Sequence, residues 1–182
     1  MSDMMEVVNS LRAERNFDTN FPEAMGEALE KARPSAGKKN LYVAGPWFDE
    51  KAEAMMLNVK ELFEQYKSVS AWEPYFPMDH TNESPYATFK ENIKQINDCD
   101  AVLALISRKD IGTAFEIGYA RGIRRDIYIL VLDETDFKSK TNIMLAYSTF
   151  TIVQFKDLWK FILDKLDYRD FVTIGDTWEN KE

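Results

Sequence analysis

Residues 101–132 read AVLALISRKDIGTAFEIGYARGIRRDIYILVL. Ala101 to Ile106 is an unbroken apolar run, short enough for a strand and apolar enough to be buried on both sides. Asp126 to Leu132, DIYILVL, opens on a charge and then repeats the pattern. Between them, Gly112 to Ile123, GTAFEIGYARGI, reads as a helix. Strand, helix and strand in succession imply two parallel strands joined by a helix packed on the sheet.

The alternation continues in both directions. Upstream, NLYVAG (40–45) and SAWEPYF (70–76) read as strands. DEKAEAMMLNVKELFEQY (49–66) and PYATFKENIKQINDC (85–99) read as helices, the former with Ala54, Leu57, Leu62 and Phe63 at helical spacing. Downstream come a short helix near NIMLAYS (142–148), a strand at FTIVQF (150–155) and a helix at FKDLWKFILDKLD (155–167). The expected fold is α/β: a flavodoxin-like (Rossmann-like) parallel five-stranded sheet with helices on both faces. Residues 1–38 stand apart as an N-terminal helical extension. MMEVVNSLRAERN and FPEAMGEALEKAR each read as an amphipathic helix, the second with Pro22 near its start. PSAGKK then reads as a linker to the main domain, residues 39–182.

Composition narrows the functions. The chain has 182 residues, 45% of them apolar, which supports a proper core. Asp+Glu number 31 against 23 Lys+Arg, a net charge of −8. That field repels a nucleic-acid polymer and leaves a small neutral substrate unaffected. The one cysteine, Cys99, excludes an internal disulfide and a cysteine-based zinc site and is read as a packing residue. One histidine, His80, cannot build a His-rich metal site, so no metal and no cofactor are expected. The glycines after the first strand do not form G-x-G-x-x-G, so a dinucleotide is not indicated. No signal pattern opens the chain and no apolar run is long enough for a bilayer, so no membrane and a cytoplasmic location are expected.

In such sheets ligands bind beyond the carboxyl ends of the strands. Three segments lie there: AGPWFD (44–49), PMDH (77–80) and SRKDIGTAFE (107–116). Glu116 is a carboxylate in a small, apolar helical run, about one turn into its helix. The helix N-terminus is expected to hold it ionised. Asp110 lies six residues earlier. Two carboxylates at one helix mouth suit glycosidic-bond chemistry, one as nucleophile and one as acid, base or sugar anchor. The alternative is plain: Asp110 caps the helix and Glu116 faces water. Gly112 is expected to admit a ligand close to the backbone, and Gly118 to bring the helix close to the sheet. His80, after Asp79, is either a base contact or a surface histidine.

DIGTAFEIGYA (110–120) resembles the signature of the nucleoside 2-deoxyribosyltransferase family. The resemblance implies that Glu116 is the nucleophile and that Asp110 belongs to the active site. LYVAGPWF (41–48) is similar to that family's first strand and loop, which implies that Tyr42 orients the nucleophile and that Trp47 and Phe48 lie beside the substrate. FPMDH (76–80) resembles the segment that helps to hold the base, and TNIM (141–144) the segment that lends an asparagine, here Asn142, to a neighbouring subunit's site. The likeness runs in order from Asn40 to Trp178. It implies a homo-oligomer with shared sites that takes a 2′-deoxynucleoside and a free nucleobase. Two departures stand out. Where the family has an aspartate credited with proton transfer to the base, this chain has Asn92. Where the family's chain ends on an aromatic residue that closes the site, Trp178 is followed by four more residues.

The implied activity is exchange of the base of a 2′-deoxynucleoside through a deoxyribosyl-glutamate intermediate. The rival within the superfamily is a 2′-deoxynucleoside 5′-monophosphate N-glycosidase. The first loop opposes it: Pro46 has no N–H, and Trp47 and Phe48 carry no charge for a phosphate. The rival of another class is a non-catalytic nucleotide-binding module, to which Asn92 lends weight.

Overall fold

The computed structural model describes residues 37–47, 50–80, 84–106, 110–131, 143–149 and 151–166. The N-terminal helices expected within residues 1–36, and Phe48, Asn142 and Trp178, lie outside the described residues. The elements are β1 (Lys39–Ala44), α1 (Glu50–Gln65), β2 (Trp72–Tyr75), α2 (Pro85–Asp98), β3 (Ala101–Leu105), α3 (Ile111–Gly122), β4 (Asp126–Val131), α4 (Ile143–Ser148), β5 (Thr151–Gln154) and α5 (Leu158–Ile162).

The strands form one sheet in the order β2-β1-β3-β4-β5. Every neighbouring pair is parallel. This is the flavodoxin-like order, in which the chain leaves β1 and β3 toward opposite edges. All of β3 is buried, as are the last four residues of β1 and the last five of β4. Burial on both faces is why these strands read as continuous apolar runs. Alternate side chains feed two cores. Leu41, Val43, Leu103, Leu130 and Val153 pack with Met56, Val59 and Phe63 of α1 and Phe161 of α5. Tyr42, Ala44, Val102, Ala104, Ile127 and Ile129 pack on the other side with Ile96 of α2 and with Ile117 and Ala120 of α3.

The ends of the elements have local causes. Ser84 caps α2 by accepting from the Ala87 amide at 3.2 Å, and Pro85 occupies the first turn, where no N–H is needed. β2 is shorter than the expected 70–76. Ser70 Oγ accepts from the Trp72 amide and donates to the Trp72 carbonyl, a turn that delays the strand. Pro74 is tolerated because β2 is an edge strand.

The last helix departs most from expectation. Phe155–Asp157 is a 3-10 turn, and α5 ends at Ile162 rather than running to residue 167. Asp164 adopts φ 53°, while Asp164 N bonds Phe161 O and Lys165 N bonds Lys160 O. That pair of bonds is the Schellman stop, which sequence periodicity does not display when its left-handed residue is not glycine. The end of α3 repeats it, with Arg124 at φ 64° and Arg125 N bonded to Ala120 O.

Gly45 ends β1 against Met56. A Cβ there would come within 2.3 Å of Met56 Sδ, and Met56 is fully buried, so its side chain must shift within the core. Gly45→Ala should destabilise the protein by about 1–3 kcal/mol in urea unfolding, as overpacking does. The cost should shrink when Met56 is trimmed to valine in the same chain.

Candidate active site

The connections that follow the paired strands β1 and β3 leave toward opposite edges of the sheet, and Tyr42, Asp110 and Glu116 come together there. Tyr42 points to the face covered by α2 and α3, and α3 starts beyond the end of β3. The Tyr42 hydroxyl donates to Glu116 Oε1 at 2.6 Å. Tyr42 is fully buried, with 0% of its surface exposed. Burial, then the Glu116 charge, hold its proton on far above the ordinary tyrosine range.

Glu116 is half-buried. Its carboxyl is pushed up to about 7, chiefly by burial; the Tyr42 hydrogen bond pulls it down and the Asp110 charge pushes it up. The helix N-terminus therefore does not hold Glu116 fully ionised. It is the sixth residue of α3, past the first turn where the dipole acts, and desolvation wins.

Asp110 is the N-cap of α3. Its Oδ1 accepts from the Thr113 amide at 3.1 Å, and its Oδ2 accepts from the Thr113 hydroxyl. The two expected alternatives for this pair merge: Asp110 does cap the helix, yet Glu116 turns inward to Tyr42. Gly112 is exposed, and a Cβ on it would sit 3.2 Å from Asp110 Oδ1, so its bareness leaves room for the cap. Gly118 does not bring the helix to the sheet. It is exposed with open space around it, while Ile117 and Ala120 make that contact.

The other residues divide. Asp79 forms an ion pair with Lys60 of α1 at 2.5 Å, which anchors the turn after β2. His80 is exposed and lies flat on Tyr75, ring centroids 4.5 Å apart and planes 2° apart. Trp47 is partly buried against the core on the α1 side, and its indole N–H is enclosed without a partner among the described residues. Asn92 is half-buried on α2. Cys99 is buried, donates to the Ile96 carbonyl, and is pushed up to about 11 by burial, as befits a packing thiol.

Tyr75, which drew no attention in the sequence, belongs to this neighbourhood. It stands opposite Tyr42 in register and stacks on it at 5.8 Å. Only strand pairing could have revealed it. Among the described residues no cluster of His, Cys, Asp and Glu suited to a metal occurs, and no helix is long and apolar enough to cross a membrane.

The model of the nucleoside 2-deoxyribosyltransferase family matches residues 41–161. The chain belongs to that family. Its matched span runs from β1 into α5, and so takes in Tyr42, Asp110 and Glu116 together. The family comprises glycosyl-transferring enzymes of nucleosides. Among solved structures, the chain is similar to the 2-deoxyribosyltransferase of Bacillus psychrosaccharolyticus, with 16% identity and a TM-score of 0.55 over 65% of this chain and 88% of that one. It is also similar to the 2-deoxyribosyltransferase of Leishmania mexicana, with 24% identity and a TM-score of 0.51 over 69% and 97%. A CMP N-glycosidase of Clostridium botulinum has 19% identity and a TM-score of 0.47 over 71% and 99%. At these identities the likeness is one of fold. No curated protein sequence matches the chain.

Between its unfolded value of 4.5 and about 7, native Glu116 keeps a proton that the unfolded chain has released. Its contribution to stability is thus complete below pH 4.5 and lost as pH rises through about 7. Glu116→Gln should match the parent in urea unfolding near pH 4 and exceed it near pH 8, by on the order of 1–3 kcal/mol.

Proposed function

We propose that the protein exchanges the base of a 2′-deoxynucleoside, with Glu116 as nucleophile. The observation that carries this is the 2.6 Å bond from the Tyr42 hydroxyl to Glu116 Oε1 at the mouth of the sheet. It holds one carboxylate oxygen and leaves the other free to attack. A carboxylate near neutrality that is fixed by a buried donor suits covalent glycosyl transfer. Glu116 attacks C1′ and forms an ester as the C1′–N bond breaks. The base leaves with the bonding pair and takes up a proton. A nitrogen of a second base then attacks C1′, the ester breaks, and the incoming base loses its proton. Two inversions retain configuration, and Glu116 is regenerated.

Asp110 caps the helix that carries Glu116, six residues before it, where it would bind the sugar or the base. The loop Gly45-Pro46-Trp47 favours a nucleoside over a nucleotide, because Pro46 has no N–H and is itself buried. The expected cytoplasmic location fits a substrate of this kind.

A homo-oligomer with shared sites is part of the same proposal. Tyr86 and Phe89 on α2, Ile111 and Phe115 on α3, and Met144 and Tyr147 on α4 are all more than half exposed or close to it, 50–83%. Exposed apolar side chains on three neighbouring helices are what a subunit contact would cover. Asn142 directly precedes α4 and would enter the neighbour's site.

Incubation with one deoxynucleoside and a different free base, followed by separation of the products, tests the activity. Exchange should rise with pH to a plateau above about 7, where Glu116 is ionised. Glu116→Ala should lose it, by at least about a thousandfold. Tyr42→Phe should lower the rate and move the acid limb upward, because the bond that stabilises the carboxylate is gone. Near-parental exchange by Glu116→Ala would sink the assignment. For the shared site, Glu116→Ala and Asn142→Ala proteins, each inactive alone, should recover activity when their subunits are mixed and exchanged. Exchange of subunits without recovery would place Asn142 in its own subunit's site or in none.

A further inference from the structure

A helix N-cap needs one acceptor, and Asp110 supplies two. Its Oδ1 accepts from the Thr113 amide at 3.1 Å, which completes the cap of α3. Its Oδ2 accepts in addition from the Thr113 hydroxyl. That second bond is more than the helix requires. In a capping box, the side chain of the third helical residue accepts from the backbone of the cap. Thr113 is the third residue of α3 and does the reverse: it donates to the side chain of the cap. A helical threonine hydroxyl ordinarily bonds a carbonyl three or four residues back. Here it turns to the carboxylate instead.

Packing does not explain the hydroxyl. Thr113 is only 2% exposed and belongs, with Ser70 and Thr151, to the buried polar side chains among the described residues. Valine has nearly the same shape and no polar atom to bury, so packing alone favours valine. What threonine adds is the bond to Asp110. Gly112 completes the seat, since a Cβ on it would lie 3.2 Å from Asp110 Oδ1. The half-buried Asp110 carboxylate is thereby held at both oxygens, and its plane is fixed. Its orientation matters because its charge acts on Glu116. Tyr42 of β1 donates to Glu116 Oε1. On α2, Glu91 is held by Gln95 Nε2 at 2.7 Å and lies 3.9 Å from Lys94, and its charge acts on Tyr75 of β2. Asp110 is the charged neighbour that acts on Glu116, and Thr113 decides where that charge sits.

We propose that Thr113 is a positioning residue of the active site: its hydroxyl fixes the Asp110 carboxylate, and so the place of that charge beside the nucleophile. Without the hydroxyl, Oδ2 would face an apolar methyl group. It would turn outward to water, where its charge acts less on Glu116. The inference rests on the transferase reading where it concerns turnover, and on geometry alone where it concerns Glu116.

Carboxyl-carbon NMR of the full chain follows the titration of Glu116, whose signal is identified by its loss in Glu116→Gln. In the parent its midpoint should lie at about 7. Thr113→Val should lower that midpoint, in the direction of Asp110→Asn, which removes the charge outright. Thr113→Ser, which keeps a hydroxyl, should stay near the parent. In the Asp110→Asn background, Thr113→Val should add no further shift, because the charge that it positions is gone. Base exchange is then compared at about pH 8, where Glu116 is ionised in every variant. There Thr113→Val should lower kcat/KM about tenfold, and serine should recover most of the loss. An unchanged or raised Glu116 midpoint in Thr113→Val, no recovery by serine, a full shift on top of Asp110→Asn, or undiminished exchange by Thr113→Val would overturn the proposal. A Glu116 midpoint that follows Thr113 in this way, in a protein that exchanges no bases, would uphold it and count instead against the transferase reading.

Discussion

The hydrogen bond between Tyr42 and Glu116 joins two elements that meet nowhere in the local sequence. Tyr42 belongs to the central strand pair and Glu116 to the helix after β3, 74 residues later. Both must be inside for the bond to form, and both would be costly inside without it. A buried phenol needs an acceptor, and a buried carboxylate needs a donor. The packing of Ile117 and Ala120 on the sheet brings α3 close enough, and the cap at Asp110 fixes where the helix begins. Moving the helix start by one residue would swing Glu116 by about 100° and break the pair.

This arrangement also sets the balance of charge in the site. Three influences act on Glu116, and burial outweighs the two that involve named neighbours. A carboxylate poised near neutrality is neither so stabilised that it is inert nor so destabilised that it stays protonated. The family's chemistry fits that compromise. Beside it, the Tyr75 hydroxyl and Asn92 Oδ1 are enclosed without a hydrogen-bond partner among the described residues.

Most of the fold was legible because its strands are buried on both faces and its helices carry an apolar stripe, and both patterns are local. The Asp110–Glu116 couple was legible for the same reason: it lies on one helix and its approach. The remainder depended on contacts that no window of sequence contains. Tyr75 acquires its place from pairing with β1. The protonation of Glu116 follows from how deeply α3 is seated. Gly118 looked like a packing glycine but faces outward, because its helix turns Ile117 and Ala120 inward instead. α5 stops early through backbone geometry at Asp164, a residue type that adopts the left-handed conformation only occasionally and so marks the stop weakly.

α5 also ties the two ends of the sheet together. It follows β5 at one edge, yet the Trp72 indole at the other edge donates to the Phe161 carbonyl at 2.9 Å, and the Ala71 amide donates to the Ile162 carbonyl at 2.9 Å. The last described helix thus straps the first-made strands, and Lys39 at the start of β1 reaches Asp164 just beyond it. During synthesis the ribosome releases β1 and β2 long before it makes the segment that covers them. The nascent chain must carry that open apolar face until α5 has been made, so the sheet is completed late and as one unit. Chaperone holding of the unfinished chain, rather than folding strand by strand as it emerges, is the natural companion of such a strap.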